Sequence, residues 1–196
     1  MVRLAKQYRI KLKVTDQGFF SRLLSRVDSL PESLVLAQAA NESAWGTSRF
    51  ARQGNNLFGQ WCFKPGCGLV PQARDDEAFH EVAKFSSVQG SINAYFANLN
   101  SHPAYEPVRE IRGCLRQQQA RVTGVALAEG LEQYSSRGYA YIDELQAMIR
   151  FNQLEPSQAL PEACQHLLVR DEQALVGELN PTPEISGARA TSAPSD

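Results

Sequence analysis

The sequence predicts an α+β domain that is mostly helical and carries one small β lobe. Apolar residues recur at helical spacing through most of residues 15–155. Residues 55–86 differ, because their glycines, prolines and short apolar pieces are typical of hairpins and long loops. The chain of 196 residues, 43% of them hydrophobic, is long enough to bury one full core.

The elements can be placed in order along the chain. A first helix follows residue 16, and its apolar face consists of Phe19, Phe20, Leu23, Leu24 and Val27. Ser29 and Glu32 have capping-box spacing, with Pro31 between them, and predict the start of a second helix. Apolar residues surround that helix as far as residue 43, so we expect it to be buried at the centre. Further helices are expected at 47–53, 87–100, 105–118, 123–132 and 139–153.

Both ends of the chain read differently from this core. Residues 1–14 alternate apolar and basic groups, which predicts an extended lead-in. Residues 156–196 are rich in Pro, Ser, Thr, Gly and Glu, a composition that predicts a disordered tail with at most one short helix. The main folded domain is therefore expected within 15–155.

Charge and composition exclude several classes of protein. The formal net charge is -1, whereas proteins that bind nucleic acid electrostatically usually carry a basic excess. No apolar run approaches the roughly 20 residues that a membrane-spanning helix needs. No phosphate-binding glycine loop follows a strand, and His80, His102 and His166 are scattered. We expect a monomer without cofactor, metal, nucleic-acid partner or transmembrane segment.

The cysteines bear on redox compartment. Cys62 and Cys67 flank a Pro-Gly turn that can bring their Cβ atoms within bonding range, which favours a disulfide. Two reduced thiols and a zinc site are the alternatives, although no second ligand pair stands at zinc spacing. The spacing alone does not establish whether Cys114 and Cys164 pair. A disulfide would place the protein in an oxidising compartment, so we expect a periplasmic or otherwise exported protein whose signal lies outside this chain.

Glu42 stands out in the second predicted helix because it is a carboxyl group among apolar residues. It lies near the end of an otherwise apolar helix, followed by Trp45 and Gly46. A carboxyl beside an indole and a low-dielectric helix face should titrate upward and stay protonated, as a general acid requires. The same argument explains the acid of lysozyme, a standard example of this effect. The alternative is a Glu whose side chain simply reaches solvent.

Four blocks follow one another within about residues 30–153: 36–48 (LAQAANESAWGTS), 54–59 (GNNLFG), 85–92 (FSSVQGSI) and 134–141 (YSSRGYAY). Together they resemble bacterial peptidoglycan N-acetylglucosaminidases of glycoside hydrolase family 73. The segment 100–105 (NSHPAY) is similar to the Bax-like branch of this family, which also includes the flagellar rod hydrolase domain. The resemblance implies a lysozyme-like fold and cleavage of the β-1,4 bond that follows N-acetylglucosamine in peptidoglycan.

The resemblance also assigns site residues. It makes Glu42 the general acid and Ser43 a hydrogen-bonding neighbour of that carboxyl. The residues expected to bind substrate or shape the floor of the groove are Ser43, Trp45, Asn55, Asn56, Phe58, Tyr139 and Tyr141. Tyr134 is a further catalytic candidate, and at least one of the tyrosines in 134–141 should point into the cleft. Packing alone is the alternative for Phe58 and for most of the tyrosines.

The second carboxylate is open at this stage. Glycosidases commonly use a second acid as base or nucleophile, and its distance from the first sets the stereochemical outcome. Glu77 is favoured, because strand alternation puts it on the same face as Glu81, while Asp75, Asp76 and Glu81 compete. Alternatively, the acetamido group of the substrate acts as nucleophile. The alternative functions are a lytic transglycosylase on a similar scaffold and a non-catalytic glycan-binding module.

Overall fold

A computed structural model describes residues 1–71 and 80–168 of the chain. Within them there are nine α-helices and one small antiparallel sheet, in agreement with the α+β prediction. The helices are α1 (Val2–Gln7), α2 (Phe19–Arg26), α3 (Glu32–Glu42), α4 (Arg49–Gly54), α5 (Val88–Ser101), α6 (Glu106–Gln117), α7 (Gly124–Ala128), α8 (Tyr139–Phe151) and α9 (Glu162–Gln165). The strands are β1 (Trp61–Cys62), β2 (Gly68–Leu69) and β3 (Glu81–Ala83). The architecture is the lysozyme-like α+β fold that the resemblance implied.

The main core lies between α3, α7 and α8, with α6 closing one side. Leu34 and Ala37 of α3 and Ile142 and Leu145 of α8 are completely buried. Burying each such leucine or isoleucine contributes about 1.5–3 kcal/mol to folding, so these contacts hold the two helices together. The prediction of a central helix is correct except on one side, where Leu36 is 56% exposed.

The start of α3 differs from the prediction. The capping box at Ser29 and Glu32 is wrong, because Pro31 is the N-cap and no side chain caps the helix. The preceding residue Asp28 instead accepts a hydrogen bond from the Ser29 backbone N–H and forms ion pairs with Arg112 and Arg116. Ser29 therefore lies three positions before the first helical residue, too early to serve as its cap.

The predicted hairpin is in fact a three-stranded sheet. Its order is β1-β3-β2, so β3 is central and β1 and β2 each pair with it antiparallel. Cys62 and Cys67 form a disulfide beside this sheet. The carboxylate of Glu81 accepts hydrogen bonds from the backbone N–H groups of Gly66 (2.9 Å) and Gly68 (2.7 Å), which ties β3 to the disulfide loop. We call this unit, the described residues 61–71 and 80–83, the β lobe.

The N-terminal segment is not the extended lead-in that was predicted. Residues Val2–Gln7 form α1, and Ala5 and Ile10 pack with Phe19 and Leu23 in a small second core. Arg26 holds this segment by donating from Nη1 to the carbonyl oxygens of Tyr8 and Arg9. The alternation of apolar and basic residues was misread, because it begins only after the helix.

The C-terminal segment is also more ordered than predicted as far as residue 168. It contains α9 and a short 3-10 turn, and Cys164 is completely buried in a disulfide with Cys114 of α6. This disulfide closes a loop of 50 residues, which the loop-entropy model equates to about 4 kcal/mol. Residues 169–196 lie outside the described part of the chain.

Candidate active site

Glu42 is the last residue of α3 and is half-buried. The helix ends there because Ala44 and Trp45 both adopt positive φ, and Gly46 continues the left-handed turn. Ser43 holds this turn, since its hydroxyl donates to the carbonyl of Ala39 and accepts from the Gly46 N–H at 2.7 Å. The chain therefore leaves the helix directly after Glu42, which places the carboxyl at the helix end.

A directional chain of hydrogen bonds reaches Glu42 from the core. The hydroxyl of Tyr95 donates to Oε1 of Gln38, and Nε2 of Gln38 donates to the hydroxyl of Tyr141 at 2.9 Å. The hydroxyl of Tyr141 is thus left with its own proton to donate, and it hydrogen-bonds the Glu42 carboxyl. Burial raises the pKa of Tyr141 far above its usual value, so this donor keeps its proton.

The turn that contains Gly59 approaches the same carboxyl from the other side. Gly59 has a φ of +61°, and a Cβ built at this position would lie 3.3 Å from Oε2 of Glu42. Asn56 holds the turn, because its Oδ1 accepts from the N–H groups of Phe58 and Gln60 and its Nδ2 donates to the carbonyls of Gln60 and Ala83. Glu42 consequently lies at the junction of the helical core and the β lobe.

The aromatic residues behind this junction pack on one another. Phe58 stacks on Tyr95 with ring centroids 4.0 Å apart, and Tyr134 stacks on Tyr141 at 5.6 Å. The hydroxyl of Tyr134 donates to the carbonyl of Phe58 at 3.0 Å. These contacts fix Tyr141 against the turn that precedes β1. The position of the Glu42 carboxyl therefore depends on contacts from several helices and turns.

Burial is the main cause that raises the pKa of Glu42 above its usual range. The hydrogen bond from Tyr141 and the positive charge of Arg137 oppose the shift, whereas the negative charge of Glu144 adds to it. Arg137 and Glu144 form an ion pair at 2.7 Å, and Nδ2 of Asn41 donates to the same Glu144 carboxylate at 3.2 Å. A carboxyl whose pKa is raised by burial and which accepts a hydrogen bond from Tyr141 is suited to general acid catalysis.

Several residues expected in the groove have structural partners. Ser43 hydrogen-bonds to backbone groups of its own turn, next to Glu42, and a contact of Ser43 with substrate stays a prediction. Asn55 takes a left-handed conformation and donates to the carbonyl of Phe85 at 2.9 Å. Asn56 and Phe58 are 1% and 2% exposed, so they support the floor from beneath. A direct substrate contact by Asn55 stays a prediction.

Trp45 and Tyr139 line two different cavities, and substrate binding by either stays a prediction. Trp45 is 70% exposed and lines an apolar cavity of about 390 Å³ with Leu36 and Ala40, on another face of α3 from Glu42. Burial is the first cause of the raised pKa of Glu42, and a contact between the indole and that carboxyl stays a prediction. Tyr139 lines a separate cavity with Glu132 and Leu167. Of the tyrosines in 134–141, Tyr141 reaches the acid.

Of the four candidates for the second carboxylate, the structure describes only Glu81. Asp75, Asp76 and Glu77 lie outside the described residues. Glu81 is buried, and its two oxygens accept from Gly66 and Gly68, which assigns it to holding the β lobe together. The ligand atoms of Glu81, Cys62 and Cys67 lie within 4.8 Å of one another, but the disulfide removes the thiolates that zinc would need.

Sequence reasoning missed three residues around the acid. Gln38 precedes Glu42 by one helical turn, and a polar residue in an apolar helix was the signal that could have found it. Arg137 lies within the block 134–141 but has no recognisable spacing to Glu42. Glu144 becomes a neighbour through the packing of α8 on α3, which nothing local in the sequence announces.

The fold is α+β and lysozyme-like, and comparison with known proteins gives the family. Residues 19–154 match the glucosaminidase family, described as mannosyl-glycoprotein endo-beta-N-acetylglucosaminidase. The chain belongs to this family of glycoside hydrolases, as the resemblance in the sequence indicated.

A curated relative supports the Bax-like branch. The chain is 41% identical over 151 residues to "Protein bax" of Escherichia coli (strain K12). The match covers 76% of this chain and 53% of that protein, so the chain corresponds to about half the length of this relative. No solved structure matches the chain at a significant level.

No helix in residues 1–71 and 80–168 is both long and apolar enough to cross a bilayer.

Proposed function

We propose that this protein is an endo-β-N-acetylglucosaminidase that hydrolyses β-1,4 bonds of peptidoglycan, with Glu42 as the general acid. The observation that carries the proposal is the half-buried Glu42 carboxyl, whose pKa is raised at the junction between the helical core and the β lobe. That position is where a glycan lying between the two parts would bring a glycosidic oxygen to the acid. Membership of the glucosaminidase family supports the substrate class.

In the proposed reaction, protonated Glu42 donates its proton to the leaving oxygen of the scissile bond. The carboxyl then becomes a carboxylate, and the hydroxyl of Tyr141 is already aimed at it. Hydrogen bonds to a charged acceptor are stronger than neutral ones, so Tyr141 stabilises the product state of the proton transfer. Tyr134 stacks on Tyr141 and acts in this scheme as a positioning residue.

The other half of the reaction requires a base or a nucleophile. Glu77, with Asp75 and Asp76 as competitors, is the proposed source of that carboxylate, because Glu81 is engaged by the backbone of the β lobe. The acetamido group of the substrate is the alternative nucleophile. Loss of activity in Glu77→Gln, measured beside Asp75→Asn and Asp76→Asn, would select the carboxylate, whereas full activity in all three favours the acetamido route.

An exported location is part of the proposal. Two disulfides, Cys62–Cys67 and Cys114–Cys164, form in the structure. Disulfides persist in oxidising compartments and are rare in the cytosol, and peptidoglycan also lies outside the cytoplasm. Both observations favour the periplasm or the cell exterior.

The test compares wild type with Glu42→Gln on purified peptidoglycan. We expect new reducing ends at N-acetylglucosamine, detected by mass spectrometry after borohydride reduction. Glu42→Gln, with an unchanged circular dichroism spectrum, should be slower by at least roughly a hundredfold. The exposed Glu106→Gln is the matched control and should retain wild-type activity.

Other outcomes would contradict the proposal in distinct ways. Anhydro ends on the muramic acid would identify a lytic transglycosylase, which needs no second carboxylate. Glycan binding without released ends, from both folded proteins, would identify a binding module. Equal activity of Glu42→Gln and wild type would show that another residue is the acid.

A further inference from the structure

Trp61 is a large aromatic residue that the fold leaves 59% exposed. It belongs to β1, one of the two edge strands of the β lobe. Single exposed apolar residues are common on protein surfaces, so a binding role has to follow from how the ring is held and where it lies. Trp61 has no role in the reaction proposed above, and its position can be derived from the register of the sheet.

The register places Trp61 on the face of the sheet that is turned toward the helices. Trp61 pairs with Val82, and Leu69 of the other outer strand also pairs with Val82, so the three side chains share one face. Val82 is buried, and a Cβ at Gly54 of α4 would contact Leu69 at 3.5 Å. That face therefore packs on the helical core at Leu69, while at Trp61 it extends past the core into solvent.

Trp61 is backed by a second ring. The imidazole of His80 lies parallel to the indole, with ring centroids 4.0 Å apart and an interplanar angle of 16°. Stacking on His80 restricts the rotation of the indole, so its exposed part is held in one orientation. A flat and pre-oriented aromatic surface loses little conformational entropy when a ligand covers it.

The aromatic surface is close to Glu42. Gly59, whose Cβ position lies 3.3 Å from the Glu42 carboxylate, precedes Trp61 by two residues. Two residues span at most about 7 Å between Cα atoms. The indole is therefore within reach of a sugar ring near the one whose glycosidic oxygen meets the acid.

We propose that the outer face of Trp61, supported by His80, is a stacking subsite for one pyranose ring of the glycan chain. In β-1,4-linked N-acetylglucosamine the ring substituents are equatorial, so each face of the ring presents C–H groups. Such a face is complementary to the negative face of an indole. This inference rests on the proposed function for its ligand class, and it adds a binding residue on the β lobe to the acid on α3.

The binding test uses the two tryptophans of the chain, Trp45 and Trp61. In the Glu42→Gln background, Trp45→Phe leaves Trp61 as the sole indole, and Trp61→Phe leaves Trp45. The probe is the hexamer of β-1,4-linked N-acetylglucosamine, followed by intrinsic fluorescence and by calorimetry. We expect a saturable fluorescence change when Trp61 is retained and none when only Trp45 is retained.

The kinetic test uses otherwise wild-type enzyme. Trp61→Ala should raise KM for soluble glycan fragments about tenfold, equivalent to ~1.4 kcal/mol, with kcat changed less than about twofold. Trp61→Phe should recover part of the loss. Phe63→Ala is the matched control, because Phe63 is 72% exposed in the same lobe but lies outside β1, and its KM should be unchanged.

The outcomes separate this subsite from the proposed function. If wild type cleaves glycan but Trp61→Ala keeps its KM, or if Trp61 stays silent while calorimetry shows binding, the subsite is wrong and the function stands. If wild type releases no products but the Trp61 signal saturates with the hexamer, the subsite stands and the hydrolase assignment fails.

Discussion

The helical core and the β lobe meet at Glu42, but each is stabilised by different interactions. The core is stabilised by burying side chains that are distant in the sequence, among them Leu34 of α3 and Leu145 of α8, which are fully excluded from water. The β lobe has strands of two or three residues, too short to be stable by their hydrogen bonds alone. Its shape depends on the Cys62–Cys67 disulfide and on the two backbone hydrogen bonds to Glu81.

Because of this difference, the stability of the whole molecule depends mainly on the helical core, whereas the shape of the β lobe depends on its own local links. The acid is anchored in the part that determines global unfolding, because Tyr141 and Gln38 belong to packed helices. The lobe side is held by local links that can be changed while the core stays folded. The following predictions test that division, in order from the largest expected effect to the smallest.

Removing core volume should affect the whole molecule. Leu145→Ala leaves a cavity between α8 and its neighbours, and we expect the free energy of unfolding to fall by about 2–5 kcal/mol in urea titrations. The matched control is Leu36→Ala on α3, where the side chain is 56% exposed and the expected change is within about 0.5 kcal/mol. Equal losses in the two variants would show that the buried core does not determine stability.

Removing the small-ring disulfide should act on the lobe. For the double variant Cys62→Ser/Cys67→Ser, the loop-entropy model predicts a loss of about 2 kcal/mol, because only a short loop is closed. Hydrogen exchange should accelerate at Gly66 and Gly68, whose N–H groups bond to Glu81, and stay slow in α3 and α8. Equal acceleration in these helices would mean that the lobe and the core unfold as one unit.

Charge changes beside the acid should move the pH profile in opposite directions. A general acid works protonated, so activity falls as pH rises through its pKa. Arg137→Gln removes a charge that lowers the pKa of Glu42 and should move the alkaline limb of kcat/KM to higher pH. Glu144→Gln removes a charge that raises that pKa and should move the limb to lower pH.

Arg137 and Glu144 also pair with each other, so each single variant frees the partner's charge and reinforces the shift. The double variant should return close to the wild-type profile. A shift of both single variants in the same direction would show that the limb does not report Glu42.

The smallest effect concerns the stability cost of the acid itself. The folded pKa of Glu42 is raised, so the unfolded chain loses its proton first as pH increases. Wild type should lose stability between the ordinary carboxyl range and the raised folded pKa, whereas Glu42→Gln has no proton to lose. The two proteins should therefore differ less at about pH 3.5 than at about pH 7, where Glu42→Gln should be the more stable in urea titrations. A wild type that gains stability relative to the variant over this range would contradict the raised pKa.

Local patterns predicted much of the fold. The 3.6-residue spacing placed α3, α5, α6 and α8 within a few residues of their observed bounds, because each helix buries one side against a common core. The Pro-Gly turn predicted the Cys62–Cys67 disulfide, since a five-residue separation limits the geometry. The capping box and the extended N-terminus failed where tertiary contacts, the Asp28 ion pairs and the small core around Phe19, outweighed local preference.

The sequence by itself determined the α+β class, the family and the candidate acid. These depend on the periodicity of apolar residues and on the four sequence blocks that resemble the family, and both can be recognised without tertiary contacts. Only the tertiary structure decided what surrounds Glu42. The hydrogen bonds from Tyr95 through Gln38 to Tyr141 join three helices, and the exposure of Trp61 depends on the register of β1 against β3. Such contacts link residues distant in the chain, so their geometry arises from packing and is absent from any local pattern.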